Sequence, residues 1–128
     1  MLTSALYSLL TSSATFTNIA GTNLYALLLP NTLPLPSATY QIIGSTSQPT
    51  FTGSGIQRTR VQFDCFGSRY QDATNLRGAI VSVLNGYQGT VGGVNISAIG
   101  KISHSDFFEH DDLLYRCMVE FYVFSDLA

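Results

Sequence analysis

The sequence predicts an α+β fold, an antiparallel β-sheet with two main helices packed on one face. Three observations carry that expectation. Leu2, Ala5, Leu6, Leu9 and Leu10 fall at i, i+3, i+4, i+7 and i+8, one stripe of an amphipathic helix. Residues 56–66 and 113–124 alternate apolar and polar side chains with the period of a strand. The order of elements, α, β, β, β, α, β, β, is that of an antiparallel sheet with its helices on one side.

Taken in order, the first helix runs from Leu2 to about Thr11. A short helical turn follows from Thr15 to Ala20, ended by Gly21, which tolerates a left-handed cap. Leu24–Leu29 reads as a buried strand, and the prolines of Pro30–Pro36 then forbid both helix and ladder pairing. Thr39–Ser45 and Ile56–Phe66 form a hairpin, the second strand turning Val61, Phe63 and Cys65 inward and Arg58, Arg60, Gln62 and Asp64 outward. Between them Thr46–Gly55, with Pro49, Phe51, Gly53 and Gly55, reads as a long uncharged loop, either a mobile tip or a docking arm.

The second main helix opens on a capping box, Ser68 with Gln71, and stops at Asn85–Gly86. Ala73, Leu76, Ile80, Val83 and Leu84 form its core stripe. Gln71, Asn75, Gly78 and Ser82 form an uncharged opposite face, and Gly78, which costs about 1 kcal/mol in mid-helix, marks it as a contact surface. Gly92–Gly93 is a two-residue hairpin turn joining Gly89–Val91 to Val94–Ile96, whose strand continues toward Ser103. In the last strand, Leu113–Phe124, Leu113, Tyr115, Cys117, Val119, Phe121 and Val123 face one way. Arg116, Met118, Glu120, Tyr122 and Phe124 face the other, apolar enough to be covered by a helix or a neighbouring subunit.

A chain of 128 residues is expected to form a single domain spanning 1–128 around one core. Its charge is unusual. Asp, Glu, Lys and Arg make up 11% of it, and none occurs before Arg58. Uncharged polar residues are cheaper to desolvate than Lys or Glu, and the centres of protein interfaces are depleted in charge, so this composition suits a surface packed against neighbours. The charges are also divided, +3 up to Ser105 and −5 from Asp106 onward, which favours head-to-tail contact between copies. A net charge of −2 argues against a dedicated nucleic-acid binder.

No membrane span is expected, since the apolar run Leu24–Leu29 stops at Pro30, far short of about 20 residues. The N-terminus lacks the basic region of a signal peptide, and Cys65 and Cys117 sit at inward strand positions as small hydrophobes. Reduced thiols and synthesis in a cytoplasm follow.

Only His104, Asp106, Glu109, His110, Asp111 and Asp112 offer the residue types of a metal or catalytic centre, and their spacing matches no known metal motif. They are placed in the turn between the last two strands, with Phe107 and Phe108 in its middle to touch a partner. No nucleophile elbow or phosphate loop is present, so no cofactor and no enzymatic activity is expected.

The blocks Ala5–Leu10, Gly21–Leu29 with its proline-rich sequel, Thr39–Gln41, Arg60–Cys65, Gly86–Val94 and Leu114–Arg116 resemble, in that order, the phage tail-completion (tail-terminator) proteins over nearly the whole chain. The resemblance implies a virion protein, assembled in the host cytoplasm, that forms a ring, commonly of six subunits. That ring caps the head-proximal end of the tail tube and joins it to the head, with the tail tube protein and the head–tail connector as partners. DNA passes through its lumen without specific recognition, and no membrane is involved. The expected subunit or partner contacts are Pro49, Phe51, Arg58, Arg60, Gly78, Phe107, Phe108, Asp111 and Asp112, with the arginines facing a neighbour's acidic stretch. The rivals are another virion connector or tube subunit and, from a different class, a small metal-dependent enzyme using His104 and His110.

Overall fold

A computed structural model of the chain describes residues 2–26, 35–49, 55–109 and 114–126. Three helices, α1 (Leu2–Thr11), α2 (Ala14–Ala20) and α3 (Tyr70–Leu84), accompany six strands. These are β1 (Leu24–Ala26), β2 (Ser37–Pro49), β3 (Gly55–Gly67), β4 (Gly89–Val91), β5 (Val94–Glu109) and β6 (Leu114–Asp126). They form one sheet in the order β1-β2-β3-β6-β5-β4.

The α+β class holds, but the sheet is mixed. β1 runs parallel to β2, pairing Leu24 with Ala38 and Ala26 with Tyr40. The other neighbours are antiparallel. The apolar run Leu24–Leu29, of which residues 27–29 lie outside the described residues, announces a buried strand and carries no information on direction.

Alternation places Val61, Phe63 and Cys65 of β3 beside Val119, Phe121 and Val123 of β6 on one face, all within 1% exposure. α3 lies against these two strands. Its Ala73, Leu76, Ile80 and Leu84 are buried in the same apolar cluster, which also takes Leu6 and Leu10 of α1 and Phe16 and Ala20 of α2. Phe63 and Phe121 meet edge to face with ring centres 5.8 Å apart at the centre of this cluster. Cys65 and Cys117 are directly opposed across β3 and β6 as free thiols. Burial pushes the Cys65 thiol well up and Cys117 up to about 11, so neither is a ready nucleophile.

Termini of the elements follow local chemistry. Gly21 ends α2 at φ 60°, a left-handed value, while its N–H donates to Thr17. Gly92 and Gly93 both take positive φ, 56° and 80°, as the two-residue turn between β4 and β5 requires. The capping box at Ser68 does not form. Arg69 occupies the cap position without a side-chain cap bond, and its guanidinium pairs instead with Asp72 at 2.9 Å. The junction is tight, since a Cβ at Gly67 would stand 2.9 Å from the backbone N of Ala73.

The described parts of two segments expected as loops belong to strands, while residues 50–54 and 110–112 of those segments lie outside the described residues. The pairing of β2 with β3 continues through Thr46↔Arg58 and Ser47↔Gln57 to Pro49↔Gly55. The Ser45 and Thr59 hydroxyls join across it at 3.1 Å, and Phe124–Asp126 of β6 hold the other side of β3. Pro49, at the end of an outer strand, is tolerated there. Likewise His104–Glu109 is the far end of β5, paired with β6 up to Glu109↔Leu114. Aromatic Phe107 and Phe108 favour the extended backbone and pack on Arg116 and Tyr115 across the ladder.

Truncating Phe63 or Phe121 to Ala is expected to remove about 3–5 kcal/mol of stability. Thermal unfolding followed by circular dichroism checks this, and a wild-type melting curve for either variant contradicts the register described above.

Candidate assembly interface

Opposite the core, β3 and β6 turn Arg58, Arg60, Gln62, Met118, Glu120, Tyr122 and Phe124 away from α3. The charges on this far face are engaged within the chain. Arg60 Nε donates to Glu120 Oε2 at 2.5 Å, and Ser103 Oγ donates to the other carboxylate oxygen at 3.4 Å. Glu120 is only 8% exposed, so its charge requires these partners. Arg58 lies with its guanidinium 4.7 Å from the Tyr122 ring centre, and Tyr122 in turn contacts Phe124. Among the described residues no carboxylate pairs with Arg58. Where the register shifts between Ile42 and Gly44, a shallow depression opens beside it, lined by Gly44, Thr46, Arg58, Arg60 and Tyr122.

A second polar group ties α3 to β5. Asp106, opposite Cys117 and therefore on the helix side, accepts a hydrogen bond from the Tyr70 hydroxyl and pairs with Arg77. Arg77 also donates to the Ser105 carbonyl at 3.3 Å. Tyr70 and Arg77 are seven residues apart, two helical turns, so they project from one side of α3. Tyr70, Tyr115 and Phe108 extend this contact as a string of rings, with centroid separations of 5.8 and 4.8 Å.

Of the expected contact residues, Arg58 and Arg60 do share one face. Gly78 is exposed on α3 with nothing within 4 Å of a built Cβ, and Gln71, Asn75 and Ser82 are exposed with it. Phe107 and Phe108 are 43% and 38% exposed, but consecutive strand residues point to opposite faces and cannot form one contact surface. Phe107 joins the far face, 4.6 Å from the Arg116 guanidinium, and Phe108 joins Tyr115 on the helix side. Pro49 closes the described part of β2, while Phe51, His110, Asp111 and Asp112 lie outside the described residues. His104 lies on β5 opposite Val119. Among the described residues no three His, Cys, Asp or Glu side chains are grouped to hold a metal. No described helix is long and apolar enough to cross a membrane.

The Arg60–Glu120 pair was within reach of alternation, which puts both residues on the outward face. Nothing local announces the Arg77–Asp106 pair, because its partners are 29 residues apart and meet only through the packing of α3 on the sheet.

The described residues form a mixed sheet backed by helices, with three ion pairs formed within the chain. Residues 4–125 match the family model described as tail completion protein gp17, and the chain belongs to that family. It is therefore a structural tail protein of a phage-like virion. Among solved structures, it is similar to a chain from the virion of a native gene transfer agent (GTA) particle. The TM-score is 0.76 at 13% identity, covering 98% of this chain and 95% of that one, a likeness of fold. No curated protein matches it.

The Tyr70 hydrogen bond, followed by the Arg77 pair, holds the Asp106 carboxyl below the ordinary carboxylate range against the opposing effect of burial. A carboxyl depressed on folding contributes stability that is present above its unfolded value of about 3.9 and is lost as pH falls through the lower folded value. Replacing Asp106 by Asn is expected to lower stability at pH 7 and to make its decline below about pH 4 shallower. Urea titrations of both proteins at pH 7 and in that acid range check this; parallel declines contradict it.

Proposed function

We infer that this chain is a tail-terminator subunit whose copies join head to tail into a ring, six being the expected number. The ring caps the head-proximal end of the tail tube, stops its growth and joins it to the head. The tail tube protein and the head–tail connector are its neighbours, and DNA passes through the lumen without base-specific contact. Assembly takes place in the host cytoplasm. Membership of the tail-completion family supports the setting.

The observation that carries the ring is the distribution of charge. The first 57 residues hold no Asp, Glu, Lys or Arg, and the remainder divides into a basic portion and an acidic one. Two unlike surfaces that complement each other make a heterologous contact, and such contacts close into rings when the rotation between copies allows it. Within that reading the structure narrows the arginines available for contact. Glu120 occupies Arg60, and Asp106 occupies Arg77. Arg58, lying over Tyr122 beside the depression, is the arginine to face the neighbour's Asp111 and Asp112.

Charges at an interface rim act mainly on association rate and register. Arg58→Glu is therefore expected to slow ring assembly about tenfold at low salt, without unfolding the subunit, and Asp111→Lys with Asp112→Lys to restore part of the rate. Light scattering of freshly concentrated protein measures this. Arg60→Glu is the contrasting variant, since it leaves the buried Glu120 unpaired and lowers the stability of the monomer itself. Unchanged assembly of Arg58→Glu contradicts the pairing.

A further inference from the structure

The two outer edges of the sheet are finished differently. On the β5 side, β4 covers Val94–Ile96, and the end of α3 closes the next stretch. The Gly86 N–H donates to the Ile99 carbonyl at 2.8 Å, and the Lys101 N–H donates to Asn85 Oδ1 at 3.0 Å. Further along, Arg77 supplies the donor for the Ser105 carbonyl. Several of the groups a foreign strand would need, the Ile99 and Ser105 carbonyls and the Lys101 N–H, are thus already taken.

On the opposite side β1 pairs with Ala38–Tyr40 only. Among the described residues no strand lies beside Gln41–Ser47. The Ala38 N–H donates outward to the Asn23 carbonyl, which fixes the alternation. Tyr40 and Ile42 therefore also direct their backbone groups outward, and after the register shift at Ile43 so do Ser45 and Ser47. Ile42 through Ser47 are exposed, with Ile42 at 38% and Ile43 at 45%. Apart from the bulge, this stretch carries none of the usual defences of an edge, having no charge, while Gly44, Ser45 and Ser47 are small enough for another backbone to approach.

We propose that this edge of β2, which has no neighbouring strand beyond Tyr40 among the described residues, is completed at Ser45–Ser47 by a strand from a second copy of this chain, continuing the sheet from one subunit into the next. Charge selects that occupant. A strand added beyond β2 lies two strand spacings, about 10 Å, from β3, within joint reach of an acidic side chain and Arg58, which sits opposite Thr46. The acidic excess that matches it is in this chain's own residues from Asp106 onward. Backbone hydrogen bonds along the edge then supply affinity that is indifferent to side chains, and the Arg58 contact sets the register. The proposal rests on the ring reading and adds the surface through which the ring forms.

Amide hydrogen exchange of the wild-type assembly against its dilute monomer tests it directly. The Ser45 and Ser47 amides are expected to exchange at least about tenfold more slowly in the assembly. Ser47→Pro removes an outward donor and leaves the bonds to β3 in place, and Ser47→Lys adds the missing charge. Both are expected to remain folded monomers at concentrations where the wild type assembles. Equal exchange in the two states, or rings formed normally by both variants, overturns the edge proposal and leaves the ring reading standing. A wild-type chain that stays monomeric at every concentration removes both.

Discussion

The contact on which the rest of the structure depends is the packing of α3 across β3 and β6, with Leu76 and Ile80 in one apolar cluster with the edge-to-face pair Phe63 and Phe121. These side chains are wholly buried, and each contributes on the order of 1.5–3 kcal/mol from apolar burial alone. The same packing sets the polar contacts between the α3 region and β5. It brings Tyr70 and Arg77 over Asp106, and it carries Asn85 and Gly86 to the edge of β5. α1 and α2 complete the cluster from the side through Leu6, Leu10 and Phe16.

What the amino-acid pattern revealed follows from which interactions are periodic. Burial repeats with the helix and the strand, so α1, the core stripe of α3, the alternation of β3 and β6 and the Gly92–Gly93 turn were all legible, each within a residue or two of its observed place. Pairing is not periodic. The parallel direction of β1 and the continuation of β2 and β3 past Thr46 to Pro49 and Gly55 depend on which strand lies alongside, and composition misled at those residues because Pro and Gly resemble a loop. The far end of β5 failed for the same reason, its charges suggesting a turn where cross-strand partners impose a ladder. Of the contact residues, the shared face of Arg58 and Arg60 was legible from alternation, whereas Arg60's engagement with Glu120 required the register of β3 on β6.

Ion pairs and edges together leave an uneven surface. Arg60, Arg69 and Arg77 are neutralised at home by Glu120, Asp72 and Asp106, so at least half of the chain's six basic residues are paired within the subunit. Remaining for partners are the cation–π-stacked Arg58, the uncharged exposed face of α3 around Gly78 and the unguarded stretch of β2. Arg58 lies beside that stretch of β2, whereas the face of α3 around Gly78 lies on the helix side of the sheet. A charge-poor first half serves the same end, since little desolvation opposes burial against another copy.

The central claim is closed, head-to-tail self-assembly of a tail-completion protein. Electron microscopy of the purified wild-type chain, with the mass of the particles measured in parallel, tests it most directly. The account predicts rings of one size with a central opening and a mass that is a fixed multiple of the subunit. Two-fold dimers, or filaments of indefinite length, would contradict it.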